Sequence, residues 1–288
     1  MKTRSLMQLR RAEVSEFEGE TRAQAFDRML EVVDRLRAPD GCPWDRKQTV
    51  ETMAPHLIEE AYELLEAVES GADQDIIEEA GDVLMVVAMV CRIAEEAGRF
   101  DLGDASRAIA EKLVRRHPHV FGDEKITEAE EVVGRWEAIK KSEREGKEED
   151  SSALAGVPKA LPALQRARRT CEKAAAAGFA WEDVRGALAK LKEEVAELEA
   201  ELEGVSGKAD VGPGDHEARV IAELGDVLLA GAHLGRYLGV DPEKACREAV
   251  RRFEGRFRRM EASLGEGGVT GRPLGELLDA WEQAKASG

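Results

Sequence analysis

Apolar positions along this chain recur at steps of three and four, and nowhere do they settle into the two-residue rhythm of a half-buried strand. In the stretch 57–68, Leu57, Ala61, Leu64, Leu65 and Val68 fall on one helical face. Between 188 and 202, Leu188, Leu191, Val195, Leu198 and Leu202 repeat that pattern. Two other stretches, 81–88 and 225–232, are apolar nearly all round, which predicts buried central helices. The expected fold is all-α, built as helical bundles.

The same order of features occurs twice. Trp44 precedes Glu59-Glu60-x-x-Glu63, then come Glu79-x-x-Asp82, the pair Lys112 and Arg116, and Trp136-x-x-x-Lys140. The second half offers Trp181, Glu193-Glu194-x-x-Glu197, Glu223-x-x-Asp226, the pair Arg252 and Arg256, and Trp281-x-x-x-Lys285. Matched positions lie between 134 (60 to 194) and 145 (136 to 281) residues apart, as expected for a duplication with loops of changed length. One module is expected over 20–141 and a second over 158–288. The linker 142–157 between them opens with charged and polar residues that cannot join a core. Pro158 and Pro162 punctuate the start of the second module, and the Gly-containing stretch 204–215 lengthens the gap between its two acidic helices.

Composition narrows the class. Only 5% of residues are aromatic while 43% are hydrophobic and 35% charged, a mixture suited to water-soluble helices. A formal net charge of −17 argues against nucleic acid as a partner, because phosphate backbones are held by cationic surfaces. Cys42, Cys91, Cys171 and Cys246 are scattered with no CxxC pair, so reduced thiols and a cytoplasmic setting are expected. The first twenty residues lack a signal-peptide apolar core. The longest apolar run, 83–91, is about half the ~20 residues of a membrane helix, so no membrane partner is expected.

The acidic motifs carry the chemistry. Spacing of three puts Glu60 and Glu63 on one helix face, and Glu79 and Asp82 on another. If those helices pack antiparallel, four carboxylates converge, an oxygen-only donor set suited to Mg²⁺, with Mn²⁺ as a substitute. A Glu-rich helix face is more often simply solvated. Asp82 and Asp226, however, each stand at the head of an apolar run, where a charge needs a partner. Cysteine and histidine are absent from the motifs, which disfavours zinc. A di-iron carboxylate bundle needs Glu-x-x-His, and none of the five histidines has a Glu three residues before it. Lys112 with Arg116, and Arg252 with Arg256, sit one helical turn apart, with Arg115 and Arg219 nearby in sequence. Such cations opposite a carboxylate-held metal suit a triphosphate, although salt-bridge partners on a surface helix would look the same. Trp136 with Lys140, and Trp281 with Lys285, could cover a base or a phosphate, or serve as packing residues. A Walker A loop and GxGxxG are both missing, so phosphate recognition falls to metal and basic side chains.

Gly41-Cys42-Pro43-Trp44-Asp45, Glu59-Glu60-Ala61-Tyr62-Glu63, Glu79-Ala80-Gly81-Asp82 and Arg115-Arg116-His117-Pro118-His119-Val120-Phe121 resemble the MazG family of nucleoside triphosphate pyrophosphohydrolases. Glu193-Glu194-Val195-Ala196-Glu197 and Glu223-Leu224-Gly225-Asp226 continue the likeness in the second copy, and the tandem layout is typical of the family's full-length members. The resemblance implies an all-α NTP pyrophosphatase fold, a homodimer, and cleavage between the α- and β-phosphates. It implies Mg²⁺ ligands Glu60, Glu63, Glu79 and Asp82 in the first copy, and Glu194, Glu197, Glu223 and Asp226 in the second. Glu59 and Glu193 are expected to orient the attacking water or accept its proton. Lys112, Arg116, Trp136 and Lys140, and in the second copy Arg219, Arg252, Arg256, Trp281 and Lys285, are expected to hold substrate. Arg219, seven residues before Asp226, has Asp75 as its counterpart before Asp82, so the second module is expected to carry most of the activity. The rival expectation is a non-catalytic acidic scaffold that binds nucleotides or a basic partner. Related pyrophosphohydrolases, dUTPase-like or acting on phosphoribosyl-ATP, share the acidic motifs but not the tandem layout.

Overall fold

A computed structural model describes residues 19–123, 126, 128–145, 152–203, 215–265 and 267–286. The N-terminal residues before 19, residues 146–151 of the expected linker and the 204–214 stretch lie outside the described residues. Those described form eleven α-helices and one 3₁₀ turn, with no strand among them. The chain divides into two compact units at Glu143/Arg144, near the start of the expected linker.

In the first unit, α1 (Arg22–Arg37) leads through the 3₁₀ turn (Asp45–Lys47) into α2 (Val50–Ser70). Thr49 starts α2 with a reciprocal capping box to Thr52. Gly71 ends it in the left-handed region at φ 77°, which a residue with a Cβ adopts reluctantly. After that tight turn α3 (Asp73–Glu96) runs back antiparallel along α2. The helices α4 (Leu102–Arg116), α5 (Pro118–Phe121) and α6 (Ala129–Glu145) follow. Val33 of α1, Met53 of α2, and Val86, Ala88 and Met89 of α3 form the buried core. Burying each of the larger side chains stabilises the unit by roughly 1.5–3 kcal/mol. Arg37 bridges the end of α1 to Glu96 at the end of α3 at 2.6 Å.

The second unit contains α7 (Ala163–Ala176), α8 (Val184–Glu201), α9 (Asp215–Tyr237), α10 (Pro242–Leu264) and α11 (Leu274–Ala286). Asp183 and Asp241 cap α8 and α10, and Pro242 occupies the first turn of α10, where its missing N–H is harmless. Met260, Ala280 and Ala284 make one small core between α10 and α11, and α8 packs along α9.

The two helices expected to be wholly buried are buried on one side only. Leu84 and Val87 of α3, and Leu228 and Leu229 of α9, are exposed within the single chain. A helix apolar all round needs cover on every side, and one chain covers only part of this surface.

Candidate metal centre

The α2–α3 hairpin positions the first acidic cluster. Glu60 lies eleven residues before Gly71 (71 − 60) and Asp82 eleven after it (82 − 71), so the antiparallel helices bring them level. Oxygens of Glu60, Glu79 and Asp82 come within 4.8 Å of one another, a set that could hold a metal ion. Glu63, the fourth expected ligand, is exposed and outside this tight group, yet close enough to repel Glu60 and Glu79. Burial pushes the Glu60 carboxyl above its usual range, and Asp82, Glu63, Glu79 and Glu59 push it further. Burial also raises Glu79, with help from Glu63 and Asp82. One oxygen of Glu79 is buried without a hydrogen-bond partner, and among the described residues no cation pairs with any of the four. Three crowded carboxylates with an orphaned oxygen and no internal counter-charge fit a hard, oxygen-preferring divalent cation.

The second cluster is built differently. Glu194, Glu197 and Glu223 bring oxygens within 4.8 Å of one another, while Asp226, the expected fourth ligand, is exposed and outside the group. Glu194 is buried, at 7% exposure. Lys190 reaches it at 2.8 Å and Glu193 at 2.7 Å. That lysine holds the Glu194 carboxyl below its usual range, whereas the hydrogen bond between Glu194 and Glu197 pushes Glu197 up. Lys190 offsets part of this negative charge, and among the described residues no other cation pairs with Glu194, Glu197 or Glu223.

Lys190 was not singled out from the sequence. The signal was present, since it stands four residues before Glu194 and therefore on the same helix face. Its counterpart four residues before Glu60 is His56, which lies 3.6 Å from Glu59 and meets the Trp44 ring edge-on at 5.8 Å between centroids. Trp44 is itself more than half exposed, and the loop that carries it is tied to α1 by hydrogen bonds. Arg37 donates to the backbone carbonyls of Asp45 and Gln48, and Cys42 N–H donates to Leu36 O at 2.8 Å.

The expected phosphate-binding cations stand apart from both carboxylate groups; among the described residues none lies within ion-pair distance of them. Arg116 is 2.5 Å from Glu143 and faces the Trp136 ring at 5.9 Å. Lys112 is on α4, one turn before Arg116. Arg219 pairs with Glu201 at 2.9 Å, and Arg252 meets Glu248 only at 4.0 Å. Trp281 packs on Phe253, and Lys285 turns to Glu282 at 3.1 Å. The Lys140 side chain lies outside what the structure describes.

A MazG nucleotide pyrophosphohydrolase domain model matches residues 48–121, from the start of α2 to the end of α5. The nucleoside triphosphate pyrophosphohydrolase/pyrophosphatase MazG of Thermotoga maritima is 41% identical over 262 residues, which cover 90% of this chain and 95% of that protein. The nucleoside triphosphate pyrophosphohydrolase of Escherichia coli K12 is 40% identical over 263 residues, covering 90% and 97%. YabN of Bacillus subtilis, an uncharacterized protein, is 40% identical over 262 residues, covering 90% of this chain and 51% of its own length.

Proposed function

Because this chain belongs to the MazG nucleotide pyrophosphohydrolase family, we propose that it hydrolyses nucleoside triphosphates between the α- and β-phosphates, releasing nucleoside monophosphate and pyrophosphate. The observation that carries this reading is the crowded triad Glu60, Glu79 and Asp82 with its orphaned Glu79 oxygen, beside a second, differently built group of Glu194, Glu197 and Glu223. Such a group is costly to assemble unless a cation completes it.

Mg²⁺, when bound, would neutralise phosphate charge and favour attack by water. Glu60, Glu79 and Asp82, with Glu63 beside them, would hold it in the first module. Glu194, Glu197 and Glu223, with Asp226 drawn in from the surface, would hold it in the second. Glu59 and Glu193 each precede the first ligand of their module and would orient the attacking water or take its proton. Lys112 with Arg116, and Arg252 with Arg256, would bind the phosphates, and Trp136 and Trp281 would cover the bound nucleotide. Catalysis would rest on charge neutralisation and in-line positioning. The second module is favoured as the main site because Arg256 has no ion-pair partner among the described residues, whereas Arg116 is already engaged. The role that fits is house-cleaning removal of surplus or non-standard nucleoside triphosphates in the cytoplasm.

A homodimer fits the exposed apolar stripe. Ile77 and Leu84 of α3 are 65% and 48% exposed, and Ile221 and Leu228, 144 residues on, are 63% and 54% exposed. The same outward positions are apolar in both modules, as a surface meant for a second copy requires.

The decisive test is product identity by phosphorus NMR, with ATP and other triphosphates, with and without Mg²⁺. Equal amounts of monophosphate and pyrophosphate, formed only with metal, support the proposal. Orthophosphate, or nucleotide binding without turnover, refutes it; the latter would favour a binding scaffold.

A further inference from the structure

The first module carries its own anion at the place where a phosphate is expected. Arg116 donates to one oxygen of Glu143 through Nη2 at 2.5 Å and Nε at 3.1 Å, and Arg115 donates to the other through Nε at 2.7 Å. Both carboxylate oxygens are thereby used. The pair is well sheltered, with Arg116 at 17% and Glu143 at 21% side-chain exposure, and the Trp136 ring closes over the guanidinium at 5.9 Å. A planar guanidinium fork binds carboxylate and phosphate oxygens with the same geometry, so the two compete for it.

Among the described residues the second module shows no such contact. Arg256 corresponds to Arg116, 140 residues on, and forms no ion pair among the described residues. In the register that matches Trp136 to Trp281 and Lys140 to Lys285, the residue corresponding to Glu143 is Gly288, which has no side chain to offer. The Glu143 carboxyl is held down at about 2, first by its hydrogen bonds to Arg116 and Arg115. It therefore stays anionic throughout the neutral range, and no change of pH near 7 releases the two arginines.

We propose that Glu143 is a built-in phosphate mimic that occupies the arginines of the first module, so that a triphosphate must displace it to bind there. This residue, on α6, would make the modules unequal in nucleotide affinity although their acidic motifs match. The proposal rests on Arg116 serving as a phosphate ligand. A tethered carboxylate competes at high effective concentration, and a triphosphate with its greater charge still displaces it at a reduced apparent affinity.

The test is calorimetric titration of the full chain with a non-hydrolysable α,β-methylene triphosphate and Mg²⁺. The background is Arg252→Ala with Arg256→Ala, which weakens the second module. Glu143→Gln keeps the size and the helix but removes the charge, and is expected to tighten binding to the first module about tenfold or more. Glu143→Asp, too short to reach both arginines, should give a smaller gain of the same sign. Glu111→Gln makes the same charge change on α4 without touching the clamp and should give little gain. Adding Arg116→Ala should erase the gain of Glu143→Gln. Unchanged or weaker binding in Glu143→Gln and Glu143→Asp, with helicity intact by circular dichroism, would overturn the proposal and make Glu143 a structural brace. If the chain with both modules intact binds no triphosphate at all, the pyrophosphohydrolase reading itself has failed, and that outcome is distinct.

Discussion

His233 occupies the position in α9 that Met89 occupies in α3, seven residues beyond the motif aspartate in each module (226 + 7 and 82 + 7). Met89 is 1% exposed and central to the first core. His233 presents a buried Nε2 with no hydrogen-bond partner among the described residues, its ring tilted against Tyr237 at 5.5 Å between centroids. A buried polar atom left unsatisfied costs about 1–3 kcal/mol. Methionine is flexible and near in size, so the repacking penalty of His233→Met stays below about 1.5 kcal/mol. The net expectation is stabilisation of the second unit by about 1–2 kcal/mol, or a rise in its melting temperature of about 2–8 °C for a unit of this length.

The same substitution should remove a pH dependence. Burial, then Arg236, lowers the His233 pKa below its ordinary value of 6.5. The unfolded chain therefore binds a proton more readily than the folded one. The wild type is expected to hold its full stability above about pH 6.5 and to lose some as pH falls below that, until the depressed folded-state value is passed. Differential scanning calorimetry of wild type and His233→Met at pH 8, 6.5 and 5 reads both effects. A variant that melts no higher at pH 8, and shows the same fall between pH 6.5 and 5, would refute the reasoning.

Three further expectations follow from particular contacts. Gly41→Ala would place a Cβ 2.3 Å from Leu36 O and 2.5 Å from Arg35 O, both backbone, so urea unfolding should show about 1–3 kcal/mol lost from the first unit. Glu60→Gln removes a like charge from a crowded site, so the metal-free protein should melt higher in a thermal shift assay while its stabilisation by Mg²⁺ shrinks; an undiminished Mg²⁺ response would contradict the assignment. Leu228→Glu puts a charge into the exposed apolar stripe and should shift the protein toward monomer in sedimentation, with helicity unchanged.

Much of this was legible in the sequence because helices advertise themselves through local spacing. The steps of three and four from Leu57 to Val68 marked α2 as a helix, although Leu57 packs against the core while Val68 is exposed, and the ordered motifs led us to expect a duplication. The carboxylate pairs were legible for the same reason, since Glu60 and Glu79 need only an antiparallel hairpin to meet. What stayed hidden depends on tertiary partners. All-round apolarity in 81–88 and 225–232 suggested complete burial, yet Leu84 and Leu228 are exposed, because periodicity cannot say whether a covering surface belongs to the same chain. Asp226 stands outside its triad while Glu194 is buried, a difference set by side-chain packing across α8 and α9 that identical spacing does not encode. Lys190 was readable by its spacing to Glu194, but Glu143 lies 27 residues from Arg116 (143 − 116) and meets it only through the fold.

The measurement that most directly bears on the carboxylate triads as the seat of chemistry is Mg²⁺-dependent pyrophosphate release by the full chain carrying Glu60→Gln, Glu194→Gln, or both. Glu194→Gln is expected to remove most of the activity, Glu60→Gln little of it, and the double variant all of it, with each variant folded by circular dichroism. A double variant that still releases pyrophosphate at the wild-type rate would show that the triads do not hold the catalytic metal.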